Sequence, residues 1–255
     1  MAHAGSGLAG LLTLKRHAGG CTDRSGLTVA AATPPVAGYL AWYDATQMTS
    51  LADGAACTSW TDKSVNGFNA AFVGTAPLFY KTTAANLING HPAMKFASAG
   101  SSGFAATISA TVTPVTVYAV CKETSGGTVQ AAVFTLKPAT TAVGNFRYNG
   151  AGGNFQLAGL LGVTGGTQDA LLHQFTMQIN TSGATSLVRE DATQIMSGNC
   201  GNTSTWTEFD IGCYSGVAGY YFDGLFGEVI LYAALHNLTQ IQSVEGYLKS
   251  KWGTP

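Results

Sequence analysis

Charge is what this 255-residue chain has least of. Asp, Glu, Lys and Arg make up 10% of it, against about 25% in an average soluble domain. The 12 Lys and Arg against 13 Asp and Glu leave a net charge of -1. Without a basic excess, binding driven by contacts to nucleic-acid phosphates is excluded. The shortage of Glu and Lys argues equally against coiled coils and helical bundles. Disorder needs low hydrophobicity with high net charge, and 46% of the residues are hydrophobic. Long apolar runs are missing too. The best candidate, Leu8–Leu14, falls far short of the ~18 residues of a membrane span. Lys15 and Arg16 follow that run rather than precede it, so it does not read as an export signal.

Paired cysteines and metal spacings are also lacking. The five cysteines form no C-x-x-C, and buried free thiols are expected, with Cys200 and Cys213 the one pair close enough in sequence to suggest a disulfide. The five histidines are scattered without a metal-binding spacing. No cofactor is expected, and calcium is unsupported.

What the chain does have is glycine, 33 residues of it, mixed with Thr, Ser and Asn. Short segments rich in β-branched and aromatic residues recur between turn signals, among them Val112–Cys121, Val129–Leu136, Leu171–Ile179 and Gly224–Tyr232. Asn66-Gly67, Asn89-Gly90 and Asn149-Gly150 are pairs that favour type I′ hairpins. One helix is expected at the end. Asn237 and Gln240 have capping-box spacing, Leu238, Ile241, Val244 and Leu248 mark one face, and Gly253 suits the position after the last turn. The pattern predicts an all-β jelly-roll sandwich with one short C-terminal helix. Residues 1–36 read differently, as an extended N-terminal arm ending in a double proline, with Leu8, Leu11, Leu12 and Leu14 as its anchoring side chains. The sandwich domain is expected over 37–255.

Few motifs carry chemistry. Gly5–Gly10 matches G-x-G-x-x-G without the preceding strand that a dinucleotide site needs. Asp62–Gly67 begins like a calcium loop, but position twelve is Val73, and a hairpin held by side-chain hydrogen bonds is the simpler reading. Glu208-Phe209-Asp210 puts two carboxylates on one face of a strand, as in family 16 glucanases. The following Gly212 and Cys213 leave no acid/base. A hydrolase would draw its pair from Asp169, Glu190, Asp191, Glu208, Asp210 and Glu228. None forms a recognisable catalytic pattern, so the chain reads as a non-enzyme. Flat rings among amide and hydroxyl residues suit sugars. Among Tyr148, Phe155, Trp206, Tyr214, Tyr220 and Tyr221, the candidates for glycan binding are Tyr148, Phe155, Trp206 and Tyr214.

Several segments, in order, resemble the concanavalin A-like (LamG-type) jelly-roll domains of bacterial surface and bacteriophage structural proteins. They are Leu40–Ala45 (LAWYDA), Trp60–Gly67 (WTDKSVNG, with Val65 where the family usually has Gly), Asn89–Phe96 (NGHPAMKF), the strand Pro114–Val120, Phe222–Tyr232 and the closing Tyr247–Gly253 (YLKSKWG). The resemblance implies a concanavalin A-like β-sandwich with a non-catalytic binding or structural role. The expected setting is the exterior of a bacteriophage virion, as a head decoration, fibre, tail or collar component. Its expected partners are other virion proteins held through the arm and a cell-surface glycan. A homo-oligomer is expected, trimers suiting fibres and spikes, with no nucleic-acid or membrane partner. The alternative is a lectin-like carbohydrate-binding module of a bacterial or phage surface protein.

Overall fold

The computed structural model describes residues 33–108, 114–124, 130–137, 144–150, 153–159, 161–180, 184–200, 205–215 and 217–255. The chain divides into two compact units between Thr33 and Pro34. The second is the sandwich. The anchoring leucines Leu8, Leu11, Leu12 and Leu14 lie outside the described residues.

Among the described residues, seventeen strands and one α-helix follow in chain order. They are β1 (Tyr39–Asp44), β2 (Ala55–Ala56), β3 (Ser59–Trp60), β4 (Ala70–Val73), β5 (Leu78–Tyr80), β6 (Ala93–Phe96), β7 (Gly103–Thr107), β8 (Val115–Glu123), β9 (Gln130–Lys137), β10 (Gly144–Asn149), β11 (Phe155–Ala158), β12 (Gly162–Gly165), β13 (Leu172–Ile179), β14 (Ser186–Glu190), β15 (Thr193–Gly198), β16 (Glu208–Ile211), β17 (Gly224–Tyr232) and α1 (Leu238–Trp252). They form two antiparallel sheets. Sheet one runs β15-β14-β13-β8-β17-β6-β5-β2, with β1 also on β17; sheet two runs β12-β11-β10-β9-β16-β7-β4-β3. The fold is thus an all-β sandwich with a single C-terminal helix.

The inner faces of both sheets share one core, with Tyr43, Phe96, Phe104, Phe134, Phe146, Phe155, Phe175, Phe209 and Phe226 buried in it. A second layer lies on the outer face of sheet one, where Trp42, Tyr118, Ile230 and Tyr232 meet Val244, Leu248 and Trp252 of α1. The helix therefore covers the middle of a sheet. This corrects the predicted helix stripe, since Leu238 is exposed while Glu245 is buried. It also explains why all nine residues of β17 are buried: a strand covered on both faces reads as a continuous apolar run.

Glu228 binds these layers together. Its carboxylate accepts from both indoles, Trp42 Nε1 at 2.6 Å and Trp252 Nε1 at 2.7 Å, and from the Tyr247 hydroxyl and Lys251 ammonium at 2.8 Å. Lys251 also reaches Asp44 at 2.7 Å. Gly227 leaves room for the Trp252 ring, which a Cβ there would meet at 2.7 Å.

The helix begins with the expected capping box, Asn237 and Gln240 each accepting from the other's backbone N–H, and ends at left-handed Gly253. Asn237→Ala removes one of these acceptors and is expected to cost about 1 kcal/mol in chemical denaturation. Of the three Asn-Gly pairs, only Asn89-Gly90 has both residues at positive φ, the geometry of a type I′ turn. Asn66-Gly67 belongs instead to a loop built on Asp62. That carboxylate accepts the backbone N–H groups of Trp42, Ser64 and Phe68 and the Ser64 hydroxyl, so its lone pairs are spent on the hairpin. Cys200 and Cys213 are free and buried, which removes the suggested disulfide. Cys200 contacts the Ser186 hydroxyl, and Cys213 faces the Phe104 carbonyl.

Candidate functional site

Three of the four rings proposed for sugar binding are core residues. Tyr148, Phe155 and Trp206 are at most 1% exposed: Tyr148 and Phe155 share the inward face of their strands with Phe146 and Leu157, and the Trp206 ring, just before β16, packs over Gly144. A ring buried this way offers no face to a ligand. Tyr214 alone of the four stays half-exposed, and Tyr220 lies 6.0 Å from it, ring centre to ring centre.

These two tyrosines stand on the outer face of sheet two. Strand alternation sends Phe209 and Ile211 inward and Glu208 and Asp210 outward. Pairing then lines up Asn145 of β10, Thr135 of β9, Asp210 of β16 and Ala105 of β7 in one row across four strands. The next outward position on β10 is Arg147, opposite Gln156 of β11. The floor of this face is polar yet buried: Asn145 is 3% exposed, and Thr135 and Asp210 are fully buried.

A loop over 212–221 lies along the face, held by Thr135 Oγ1 donating to the Cys213 carbonyl, Ser215 N–H to Asp210, and Ala132 N–H to the Tyr220 carbonyl. Gly103 permits this approach, since a Cβ there would collide with the Cys213 side chain. The same loop walls a cavity of about 180 Å³ lined by Ser98, Ser101, Gln130, Ala218, Gly219 and Tyr221.

Electrostatically the face is nearly neutral at its Asp210 end. Burial, with the hydrogen bond and charge of Glu208 adding to it, pushes the Asp210 carboxyl up to about 8. Glu208 moves the other way: burial raises it, but hydrogen bonds from Lys137 and Ser215 outweigh that and hold it below the ordinary range. Of these two neighbouring carboxyls, Asp210 is thus the one that keeps its proton near neutral pH. Lys137 pairs with Glu208 at 2.7 Å. Burial pulls its ammonium down, but the hydrogen bond and charges of Glu208 and Asp210 prevail and raise it. A lysine held as a cation cannot take the proton of Ser215, which touches both Lys137 and Glu208. Ser215 Oγ donates instead to the ionised Glu208 carboxylate, whose lowered pKa makes it a weak base.

The glucanase-like motif fails for a structural reason as well. At Gly212 the backbone is left-handed, φ +69°, and a Cβ would point at the Phe96 ring, 2.5 Å away. A carboxylate there would enter the core rather than face Glu208. The other candidate acids are also engaged. Asp169 and Asp191 grip His173 at 2.7 and 2.6 Å, with Glu190 at 3.5 Å, and Glu228 lies under the helix.

Some polar atoms on the outer face remain without protein partners: Asn145 Oδ1, Asp210 Oδ1 and Arg147 Nε. Such groups in a buried setting are costly unless something satisfies them. Asn145, Arg147, Gln156 and Tyr220 were not among the predicted site residues. The signal for the three strand residues was present in the alternation of Asn145-Phe146-Arg147-Tyr148 and Phe155-Gln156-Leu157.

No protein-family model matches the chain, and no curated protein does. Solved structures share its fold. Domain 4 of AbnA, a GH43 extracellular arabinanase from Geobacillus stearothermophilus, solved with arabinotriose, superposes with a TM-score of 0.60 at 13% identity, over 82% of this chain and 98% of that domain. Trypanosoma rangeli sialidase in complex with 2,3-difluorosialic acid superposes with a TM-score of 0.56 at 14% identity, over 91% of this chain and 35% of that one. This chain thus spans about a third of the sialidase. Identities this low carry the sandwich and nothing of the chemistry.

Proposed function

We propose that the sandwich is a non-catalytic carbohydrate-binding module, and that its glycan lies on the outer face of sheet two against Tyr214. The observation that carries this reading is the half-exposed pair Tyr214 and Tyr220, standing above a polar floor in which Asn145 Oδ1 and Asp210 Oδ1 have no protein partner. Sugars need this combination of fixed hydrogen-bonding groups and a flat apolar ring. The arabinotriose held by a domain of the same fold is consistent with the reading.

The wider setting we propose is the exterior of a bacteriophage virion, with residues 1–36 as the anchoring arm, 37–255 as the displayed domain, and a homo-oligomer as the working form. The ordered series of LamG-like segments supports it. Light scattering that returned a monomer for the full chain would remove the oligomer from this picture.

Calorimetric titration of the full chain with neutral and acidic oligosaccharides, arabinotriose among them, tests the glycan reading. At least one is expected to bind, and Tyr214→Ala is expected to weaken that binding tenfold or more. Silence across the set, or binding that Tyr214→Ala leaves unchanged, overturns it.

A further inference from the structure

We infer that this face selects an acidic sugar, one bearing a carboxylate, and that Arg147 is the residue that selects it; the inference rests on the glycan reading above. The argument starts from charge balance. Among the described residues Arg189 pairs with Glu245, Lys251 with Asp44 and Glu228, and Lys137 with Glu208. Arg147, half-exposed on the outer face of sheet two, makes no ion pair. Its guanidinium donates to the Gln156 side-chain carbonyl and stands over the Tyr220 ring at 5.0 Å from the centroid. Its Nε has no acceptor at all. A planar cation fixed by an amide and an aromatic ring, with an unused donor, is pre-organised for a carboxylate.

The rest of the face does not cancel this charge. Glu208 is neutralised by Lys137, and Asp210 holds a proton near neutral pH. Asp210 is two strands and two residues away from Arg147, roughly 12 Å by ordinary strand spacing, and charges at that distance on a wetted surface are largely screened. One net positive charge therefore stands at the Arg147 end of a row of neutral hydrogen-bonding groups. A short glycan with a uronate or sialate unit would place its carboxylate on Arg147 and its neutral units against the half-exposed Tyr220 and Tyr214.

The test compares each acidic glycan with its own methyl ester, which keeps the backbone and removes the charge. Trigalacturonate, a glucuronate-bearing trisaccharide and 3′-sialyllactose, each beside its ester, are titrated into the full chain, its Arg147→Gln variant and its Arg147→Lys variant. At least one acid is expected to bind ten times more tightly than its ester. The acid-to-ester ratio should fall to near one in Arg147→Gln and stay above one in Arg147→Lys, and added salt should reduce it in the wild type. Equal binding of acid and ester, or a ratio that survives Arg147→Gln, overturns the inference while leaving a glycan module. Binding only of neutral oligosaccharides does the same. Failure of every glycan to bind overturns both.

Discussion

Replacing Glu228 with Ala is expected to lower the free energy of unfolding by about 3–5 kcal/mol, the range for breaking a buried charged network from one side. The side chain is fully buried and is the common acceptor for two indoles, a phenol and an ammonium. Burial raises its carboxyl, against the pull of Lys251. Removing it leaves the indole N–H groups of Trp42 and Trp252 without acceptors beneath the helix, and opens a cavity where sheet one and α1 meet. In a domain of this size the loss corresponds to a fall in melting temperature of roughly 6–20 °C. Glu228→Gln keeps the volume and one acceptor oxygen but turns an amide donor toward other donors, so it should fall between. Thermal and urea unfolding of the three proteins decide the matter. A loss under about 1 kcal/mol for Glu228→Ala would mean that the helix is held by apolar contacts alone.

His173→Gln is expected to cost about as much, about 3–5 kcal/mol near neutral pH. It leaves Asp169, Glu190 and Asp191 converging on a site with no cation. The wild-type imidazole is lowered by burial but raised more strongly by its hydrogen bonds to Asp191 and Asp169, and holds its proton to about pH 9. The unfolded chain releases that proton near 6.5. The stabilisation is therefore complete below about pH 6.5 and lost as pH rises to about 9. After allowance for solvent screening it amounts to about 1–3 kcal/mol. Glu190, raised by burial to about 7, and Asp210, raised to about 8, act in the same direction. Each is protonated in the folded chain at pH values where the unfolded chain has already ionised. Above about pH 6.5 folding thus takes up protons, and stability falls as pH climbs to about 9. Melting curves at pH 6 and pH 9 should show the lower midpoint at pH 9; equal or reversed midpoints would contradict this account.

Local patterns told most of the architecture. The capping box at Asn237, the buried run of Gly224–Tyr232 and the turn at Asn89-Gly90 follow from short-range rules and appear where those rules place them, whereas Asn66-Gly67 and Asn149-Gly150 do not adopt the type I′ geometry. The site was harder to read, for a reason visible in two strands. Composition singled out Tyr148 and Phe155 as rings among polar residues, whereas the period of two gives the opposite reading. Phe146 and Tyr148 must share one face, and Asn145 and Arg147 the other. Once Phe146 is inside, Tyr148 goes with it, and the functional side chains are the polar ones between. The pairing of Lys137 with Glu208, the clamp on His173 and the approach of the 212–221 loop depend on pairings between distant strands. No local pattern encodes those. Likewise, the helix stripe was predicted to include Leu238, but the surface it meets is one that only the assembled sheet creates, with Arg189 and Thr176 placed to take Glu245.

The position of β17 also sets the timetable of folding. Its partners are β8, β6 and β1, the last through pairs such as Asp44 with Glu228. The middle of sheet one is thus a late segment inserted between segments made early. Until residues 224–252 leave the ribosome, β1, β6 and β8 lack the neighbour and the helix that cover them. Contacts of such long sequence separation make folding slow, and unpaired apolar strands are then open to association. The yield of soluble protein should therefore depend on how quickly this last stretch follows the rest.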